Sequence, residues 1–382
     1  MDAFDFQLPT RIVFGAGQLV TLGDVAKQLG ASRVLVASDP GVIAAGHTQR
    51  GIESLRAGGL AVELFDGVQE NPTTKHVDAG LDVAKKFRPD LIVGLGGGSS
   101  MDCAKGINFL YSCGGRMQDY WGLGKATGPL LPMIAVPTTA GTGSETQSYA
   151  LISDAETHVK MACGDKRAAF RGAILDPDLT FTQPPRVTAL TGIDALSHAI
   201  ETSVSKSRNP MSLMLSRAAW NHLVLGIRGV FAEPSERSYR EAMQIGACFA
   251  GLAIENSMLG AAHALANPLT ATYEIAHGQA IAIMLPHVIR RNAAVVAEDY
   301  EQLFSRVEPR LSANSGDSSR HLAEFVTEVT RLGGLATKLS ECNVRYKELP
   351  KLAGEAAKQW TGKFNPVELT TDDYLKLYEA AF

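Results

Sequence analysis

Short apolar runs alternate with stretches of helical spacing over the first half of the chain. Four runs rich in β-branched and aliphatic residues, at 33–38, 60–65, 90–95 and 132–137, have the length and composition of strands. Their alternation with helical segments predicts α/β units arranged around a parallel sheet. The stretch 91–95 is apolar throughout, which is typical of a strand covered by helices on both faces, so we expect it at the centre of the sheet.

Beyond Pro184 and Pro185 the pattern changes to a helical period. Long helical patterns, with hardly a strand-like run between them, cover 211–230, 238–265, 295–308 and 319–332. A chain of 382 residues also exceeds the size at which a single hydrophobic core keeps growing. We therefore expect two domains, an α/β domain over 1–185 and an all-α domain over 186–382.

Composition narrows the partners and the compartment. The formal net charge is −4 and no basic tract interleaves with aromatic residues, so a nucleic-acid partner is not expected. No uninterrupted apolar run reaches the ~18 residues of a membrane span, and the first residues are acidic where a signal peptide would be basic. We expect a globular protein of the cytoplasm without a membrane partner.

The cysteines do not resemble a disulfide framework, because they are odd in number, widely separated and never arranged as C-x-x-C. They are Cys103, Cys113, Cys163, Cys248 and Cys342. We expect reduced thiols that pack as small apolar side chains and take no part in the chemistry.

A glycine-rich turn follows the strand that ends at Leu95. Gly96, Gly97, Gly98 and Ser99 lead straight into a segment of helical propensity. Glycines let the backbone approach a pyrophosphate closely, and the first amides of a helix supply unpaired N–H donors and a positive dipole end. We expect an anion at this turn, although the turn lacks the G-x-G-x-x-G pattern and a tight strand-to-helix connection would also explain it.

A second polar turn, P-T-T-A-G-T-G-S-E over 137–145, follows the next apolar strand. It offers the hydroxyl groups of Thr138, Thr139 and Thr142 on a flexible backbone. Two such turns after successive strands lie at the same edge of a parallel sheet, and together they predict a nucleotide cleft.

An acidic residue, Asp39, follows the strand at 33–38. Its carboxylate can accept hydrogen bonds from a ribose 2′-hydroxyl and would repel a 2′-phosphate, which favours NAD over NADP. Alternatively, Asp39 closes a turn or caps the next helix, since Pro40 and Gly41 follow it.

Candidate metal ligands are found in the second half of the chain. Asp194 and His198 are four residues apart in G-I-D-A-L-S-H-A-I-E, which places both side chains on one face of a helix. His263 and His277 lie in segments short of charge, where a lone histidine is more often a core residue than a ligand. Taken together, three imidazoles and one carboxylate suit Fe²⁺, Zn²⁺ or Mn²⁺ better than Mg²⁺ or Ca²⁺.

The chain resembles the iron-containing (group III) alcohol dehydrogenase family, whose relatives include glycerol dehydrogenase and dehydroquinate synthase. The resemblance is carried, in order and over nearly the full length, by F-G-A-G, G-G-G-S-S-M-D-C-A-K, P-T-T-A-G-T-G-S-E, I-L-D-P-D-L-T, G-I-D-A-L-S-H-A-I-E, H-G-Q-A-I-A-I-M-L-P-H-V and N-P. It implies a Rossmann-like α/β domain followed by an all-α domain, the dehydroquinate synthase-like fold, with the metal in the cleft between them. It also implies a homodimer or larger homo-oligomer.

The resemblance assigns roles to individual positions. It implies metal ligation by Asp194, His198, His263 and His277, with Fe²⁺ as the first expectation, and pyrophosphate contact by Gly97, Gly98 and Ser99. It implies further NAD contacts from Asp39, Asn71, Asp102, Thr138, Thr139 and Lys160. Lys160 is equally well explained as a solvated surface lysine.

One position departs from the family pattern. The family usually has a further histidine four residues after the third ligand, where this chain has Asn267. If the helix of His263 continues to Pro268, residue 267 can face the same cleft, but an amide cannot shuttle a proton near neutral pH. Either the proton leaves through water, the cofactor ribose or another side chain, or Asn267 caps or packs without effect on the chemistry.

The function expected from this resemblance is hydride transfer between a small alcohol or diol and NAD, or the reverse reduction of an aldehyde. A rival is a dehydroquinate synthase-like lyase, which needs basic residues such as Arg290 and Arg291, although these also suit a solvated helix end. A catalytically silent NAD-binding protein is a third hypothesis, based on Asn267 and opposed by the four ligand types. Met258 and Leu259 can line a substrate channel or belong to the core.

Overall fold

The computed structural model describes residues 3–308 and 317–382. Within them the chain forms two compact units, Leu8–Gln183 and Pro184–Phe382, and the described residues up to Gln7 belong to the second. Gln7 groups with the helices because its N–H donates to Asn256 Oδ1 at 3.1 Å and its carbonyl accepts from Asn256 Nδ2 at 3.3 Å. The units thus differ from the expected division at 185/186 mainly in these first residues.

The first unit is built on strands joined by helices. The strands are β1 (Arg11–Phe14), β2 (Arg33–Ala37), β3 (Ala61–Phe65), β4 (Leu91–Gly96), β5 (Gly122–Leu123), β6 (Met133–Pro137), β7 (Tyr149–Ser153), β8 (Lys160–Gly164) and β9 (Gly172–Leu175). The helices are α1 (Leu22–Gln28), α2 (Pro40–Ala44), α3 (His47–Ala57), α4 (Thr74–Phe87) and α5 (Gly98–Cys113).

Six of these strands form a wholly parallel sheet in the order β1-β9-β6-β4-β2-β3. The four predicted strands are confirmed to within a residue at their ends, and β4 lies near the centre with Val93 opposite Val36 on one side and Ile134 on the other. All six residues of β4 are buried, as expected for a strand covered on both faces.

The structure adds strands that the hydrophobic pattern did not predict. β1 and β9 each have four residues, too short for a distinct periodicity, and pair with each other at the edge of the sheet. β7 and β8 form an antiparallel pair, and β5 extends it through β8. The α/β unit is therefore larger in sheet content than the sequence predicts.

The second unit is helical. Its helices are α6 (Pro185–Val204), α7 (Pro210–Ala232), α8 (Arg237–Ser257), α9 (Ala261–Tyr273), α10 (His277–Val307), α11 (Ser318–Leu332), α12 (Leu349–Ala356) and α13 (Thr371–Ala380). Its core contains the fully buried side chains of Trp220, Tyr300 and Tyr378. The indole N–H of Trp220 donates to the Leu303 carbonyl at 2.8 Å, which ties α7 to α10.

Two predicted helices have wrong boundaries. The pattern over 238–265 predicts one helix, but α8 and α9 meet at a bend of 103°. Met258, with φ of 65°, lies at this bend, and both Met258 and Leu259 are half-buried. The predicted helix 295–308 is the second part of α10, which is bent at Val296, where φ is −125° and ψ is 31°. Apolar spacing continues through both breaks because the segments on either side all bury an apolar face.

By length and hydropathy, α10 alone among the described helices matches a membrane span, but 61% of its apolar window is buried inside the unit. Burial of this kind is typical of the core helix of a globular domain. The pair α8 and α9 would match only as one span, and the 103° bend separates them.

The five cysteines are free thiols. Burial raises the pKa of Cys103 and of Cys163 to about 12, so both are protonated and poor nucleophiles at neutral pH. This agrees with the expectation that they pack as small apolar residues.

Candidate active site

Three imidazole rings surround one carboxylate oxygen in the helical unit. Asp194 Oδ1 lies 3.4 Å from His198 Nε2, 3.7 Å from His263 Nε2 and 3.7 Å from His277 Nε2. Asp194 and His198 lie on successive turns of α6, His263 is in the first turn of α9, and His277 is the first residue of α10. The structure therefore brings together all four side chains that the sequence singled out.

The rings are packed against each other and largely shielded from water. His198 and His263 are stacked with centroids 5.0 Å apart, and His277 is tilted against His263 at 5.2 Å. The side chain of Asp194 is 7% exposed, whereas that of His277 is 25% exposed, so His277 forms the open side of the cluster.

The separations suit donors that share a cation. Two ligands bound at about 2.1 Å in tetrahedral geometry lie roughly 3.4 Å apart. The ligand atoms of Asp194, His263 and His277 all lie within 4.8 Å of one another, and His198 adds its contact with Asp194. In the described part of the chain, Asp194 Oδ1 and His263 Nε2 are buried without a hydrogen-bond partner. Such orphaned atoms fit a site built for an ion.

Charges within the cluster are strongly coupled. Burial by itself would raise the pKa of Asp194, but the adjacent rings of His198, His277 and His263 hold it well below its usual range. Burial by itself would lower the pKa of His263, but Glu201 and Asp194 raise it to about 9. Without a cation, His263 therefore holds a proton beside the ionised carboxylate of Asp194.

Glu201 is a residue that the sequence reasoning missed. Its Oε2 lies 2.6 Å from His263 Nδ1, and its Oε1 accepts the Ala262 N–H at 2.7 Å. Helical periodicity could have found it, because residue 201 is three positions after His198 and seven after Asp194, on the same face of α6.

Asn267 lies in α9 one turn after His263, so the helix does continue to Pro268 and beyond. Its Nδ2 donates to Gln359 Oε1 at 3.0 Å, and the side chain is half-buried. The amide thus has a structural partner, and neither Asn267 nor Gln359 titrates near neutral pH.

The two arginines considered for a lyase are both engaged within the helical unit. Arg291 pairs with Asp373 at 3.3 Å, and Arg290 donates to the Pro286 carbonyl of its own helix at 3.3 Å. These contacts are those of helix-surface side chains rather than of a converging anion pocket.

In the α/β unit, the glycine-rich turn forms at the carboxyl end of β4. Gly96 has φ of 151°, and a Cβ there would lie 2.3 Å from Ser100 Oγ, so only glycine fits. A Cβ on Gly98 would lie 2.8 Å from Thr142 Cγ2, and one on Gly97 would lie 3.4 Å from Thr139 Cγ2. The turn is thus packed directly against the second polar turn.

The second polar turn is held in place from β4 and α5. The Thr138 N–H donates to the Gly96 carbonyl at 2.9 Å, which joins the ends of β6 and β4. The Ser144 hydroxyl donates to Asp102 Oδ1 at 2.7 Å, and Lys105 Nζ donates to the Ser144 carbonyl at 2.9 Å. Ser144 and the fully buried Lys105 were not singled out from the sequence, although each lies within one of the quoted motifs.

Asp39 caps the next helix, as the alternative interpretation of this residue proposed. Its Oδ1 accepts the Val42 N–H at 3.0 Å at the start of α2, and its Oδ2 accepts the Ser100 hydroxyl at 3.2 Å. Each carboxylate oxygen can accept a second hydrogen bond, so a ribose contact is chemically compatible with the cap.

The remaining predicted cofactor residues lie around the same turn. Asn71, with φ of 52°, donates its backbone N–H to Ser99 Oγ at 3.2 Å. Asp102 is buried, which raises the pKa of its carboxyl group, while Lys105 and Lys160 act in the opposite direction. Lys160 begins β8 and is half-buried, which does not fit a freely solvated lysine.

The fold and the two clusters define a class of protein. A parallel α/β unit with adjoining glycine-rich and threonine-rich turns at the carboxyl ends of its strands is the architecture of dinucleotide-binding domains. A buried cluster of one carboxylate and three imidazoles is the chemistry of a transition-metal centre. Together they are the two parts of a metal- and dinucleotide-dependent oxidoreductase.

The chain belongs to the iron-containing alcohol dehydrogenase family. The family model described as iron-containing alcohol dehydrogenase matches residues 9–177, and the model described as Fe-containing alcohol dehydrogenase family, C-terminal, matches residues 188–382. This confirms the resemblance carried by the sequence motifs.

Individual relatives agree over the full length. Alcohol dehydrogenase 4 of Schizosaccharomyces pombe is 34% identical over 100% of this chain and 90% of that protein. The NAD-dependent methanol dehydrogenase of Bacillus methanolicus is 31% identical over 99% of both chains. The crystal structure of a 1,3-propanediol oxidoreductase superimposes with a TM-score of 0.96 at 32% identity, covering 100% of both chains.

These findings confirm the expected fold class and reaction class. The protein is an iron-type, NAD-dependent alcohol dehydrogenase that transfers hydride between an alcohol and the nicotinamide. The lyase alternative is not favoured, since its predicted basic cluster has other partners in the structure.

Proposed function

We propose that Asp194, His198, His263 and His277 bind one divalent cation and that the centre acts on the hydroxyl carbon of a small alcohol or diol. The observation that supports this most directly is the position of three Nε2 atoms within 3.7 Å of the single buried oxygen Asp194 Oδ1. Fe²⁺ is proposed from the family, and Zn²⁺ and Mn²⁺ remain compatible with the same donors.

The side chains of this centre bind and orient rather than react. When bound, the cation supplies Lewis-acid polarisation of the substrate oxygen. The protein contributes one negative charge from Asp194, and the buried, stacked rings of His198 and His263 exclude water from their side of the centre. The partly exposed His277 leaves one side through which a small substrate can reach the centre.

In the α/β unit, Gly97, Gly98 and Ser99 are proposed to bind the pyrophosphate through the first amides of α5. The N–H groups at a helix start are unpaired within the helix and carry the positive end of its dipole. Further contacts are proposed from side chains around this turn: Asp39, Asn71, Asp102, Thr138, Thr139, Thr142 and Lys160. Asp39, as an acidic residue after β2, supports NAD over NADP.

Alcohol oxidation releases a proton as well as a hydride. Asn267 cannot accept it, and its hydrogen bond to Gln359 holds it in a structural contact. We therefore infer that the proton leaves through water, the cofactor ribose or another side chain. Other inferences at this level are cytoplasmic localisation, a homo-oligomeric assembly and the absence of nucleic-acid and membrane partners.

Metal analysis of anaerobically purified protein, combined with NADH absorbance over a panel of small alcohols, diols and aldehydes, tests the proposal. We expect about one divalent cation per chain and NADH production with at least one small alcohol. His198→Ala should lose both the cation and turnover. A variant that binds metal and turns over like the parent protein would remove His198 from the ligand set, and a parent protein without metal would overturn the proposed centre.

A further inference from the structure

A second buried carboxylate, Glu201, lies on the same face of α6 as Asp194 and His198 but contacts a ligand rather than the shared ligand point. It is 3% exposed. Its Oε2 lies 2.6 Å from His263 Nδ1, the ring nitrogen that faces away from Asp194. A buried carboxylate at this distance is a strong, charge-assisted hydrogen-bond acceptor.

We propose that Glu201 is a positioning residue that selects the tautomer of His263, keeping the ring proton on Nδ1 so that Nε2 is free to bind the cation. This inference rests on the proposed function, because it takes His263 as a metal ligand. It adds a role for a residue outside the ligand set.

A backbone N–H group determines the direction of the hydrogen bond between Glu201 and His263. The Ala262 N–H donates to Glu201 Oε1 at 2.7 Å, so this oxygen is already committed as an acceptor. An ionised carboxylate has no proton to donate, and therefore Oε2 can only accept from His263 Nδ1. The other ring nitrogen, Nε2, lies 3.7 Å from Asp194 Oδ1 and is therefore the nitrogen left to bind the cation.

The surroundings prevent the carboxylate from rotating away. A Cβ on Gly260 would lie 2.9 Å from Glu201 Oε1 and 3.2 Å from Asn365 Oδ1, so the backbone approaches the carboxylate closely. Asn365 is itself fixed, because it exchanges two side-chain hydrogen bonds with Asn292 at 2.8 and 2.9 Å. Glu201 is thus held at the start of α9, between the Ala262 N–H and the backbone of Gly260.

Charge balance points in the same direction. Two buried carboxylates, Asp194 and Glu201, carry two negative charges, and three metal-bound imidazoles are neutral. One divalent cation brings this buried group to a net charge of zero, which avoids the large penalty for an uncompensated buried charge. With Glu201 replaced by a neutral residue, the same group would keep one positive charge in the helical core.

Glu201→Gln keeps the size and shape of the side chain but changes the tautomer of His263 that it favours. The amide can satisfy both neighbours in one orientation only: its oxygen accepts the Ala262 N–H and its NH₂ group donates to His263 Nδ1. This orientation places the ring proton on Nε2, where it blocks the cation. We expect the metal affinity to fall about 10- to 100-fold, the range for loss of a partner behind a metal ligand.

The test measures Zn²⁺ affinity by chelator competition, independently of turnover, in the parent protein, Glu201→Gln and Glu328→Gln. Glu328 is a matched control in the same unit, since it is half-exposed and pairs only on the surface with Arg228 at 2.8 Å. We expect Glu328→Gln to bind as the parent does. Equal Zn²⁺ affinity in Glu201→Gln and Glu328→Gln would overturn the proposal.

Gly260→Ala reaches the same carboxylate without changing its charge. Its Cβ would push Glu201 Oε1, so we expect a smaller loss of Zn²⁺ affinity than in Glu201→Gln. If Glu201 served only the packing of α6 against α9, Glu201→Gln would lower the unfolding temperature of the metal-free protein and leave the Zn²⁺ affinity of the folded protein unchanged. That result would contradict a positioning role. A parent protein that binds no Zn²⁺ or other divalent cation would instead refute the proposed function.

Discussion

Asp194 shows how one residue acquires its role from neighbours that are distant in sequence. Its carboxylate would be costly to bury alone, and the three surrounding imidazoles make its charged form favourable. The i, i+4 spacing of Asp194 and His198 was visible in the sequence, because it depends only on the geometry of α6. Glu201 has the same helical phase but was missed, since its partner His263 is known only from the fold.

Proton competition at His263 should make metal binding depend on pH. In the metal-free protein, burial lowers the pKa of His263, but the carboxylates of Glu201 and Asp194 raise it by more. The pKa of His263 is therefore about 9, above the ordinary value of 6.5. The proton therefore stabilises the metal-free fold below about pH 6.5, and this stabilisation is lost as the pH rises through 9. Because the cation must displace the proton, we expect its apparent affinity to rise about tenfold per pH unit between pH 7 and 9 and then level off.

Chelator competition over pH 6.5–9.5 measures this dependence. The control is a chelator titration without protein, which removes the pH dependence of the chelator itself. A flat affinity over this range would show that no proton is displaced from the ligand set and would contradict the expectation.

At the scale of single elements, the glycine turn between β4 and α5 determines where the first backbone N–H groups of α5 lie. The run of glycines was evident in the sequence, and the parallel arrangement predicted that the threonine turn would lie beside it. Its packing was not predictable, because the contact of Gly98 with Thr142 depends on the register of β4 against β6.

Gly98→Ala should disturb this turn. The added Cβ would lie 2.8 Å from Thr142 Cγ2 and 3.1 Å from its Cβ, a β-branched side chain with little freedom to move. Overpacking of this kind costs about 1–3 kcal/mol, and because it displaces the amides proposed to bind NAD, we expect the Kd for NAD to rise about fivefold or more. Isothermal titration with NAD measures the change.

Gly354→Ala is the matched control for this variant. Gly354 also lies in a helix, α12, and a Cβ there meets nothing within 4 Å. We expect unchanged NAD binding and a gain in stability of up to about 1 kcal/mol. Equal NAD affinity in the two alanine variants would argue against the proposed pyrophosphate site at the turn.

The bend between α8 and α9 marks the limit of element prediction from sequence. Its apolar spacing runs on from one helix into the next, and no proline or glycine pair interrupts it before Gly260. The break occurs at Met258 in a conformation with φ of 65° and ψ of 173°, which a non-glycine residue adopts only when its surroundings enforce it. The bend sets the start of α9, and with it the position of His263.

At the scale of the whole molecule, the proposed metal ligands all belong to the helical unit and the proposed NAD contacts all belong to the α/β unit. Each unit has its own core, so removal of the cation or of NAD should change the stability of the two units unequally. Hydrogen exchange can resolve this, because the stability of a folded chain varies from region to region.

Removing the cation with a chelator should accelerate hydrogen exchange in α6, α9 and the first turns of α10, where the ligands lie. Binding to the folded state stabilises it by mass action, and this term is lost on chelation. The amides of β2 and β4 serve as the internal control, and we expect their exchange to be unchanged. Uniform acceleration in both units, or none in α6, would contradict a cation bound by these helices alone.

The sequence by itself determined the features that depend on local geometry and residue chemistry. These are the four longer central and neighbouring strands, the two polar turns that follow β4 and β6, the pairing of Asp194 with His198 on one helix face, and the family to which the motifs belong. Each follows from periodicity, backbone freedom or ligand type within a short segment.

Only the tertiary structure decided how separate segments meet. It placed His263 and His277 against Asp194, assigned Glu201 to His263, gave Asn267 its partner Gln359 and ended α8 at the bend. The physical reason is that these contacts depend on the packing of elements far apart in the chain, which no short window of sequence specifies.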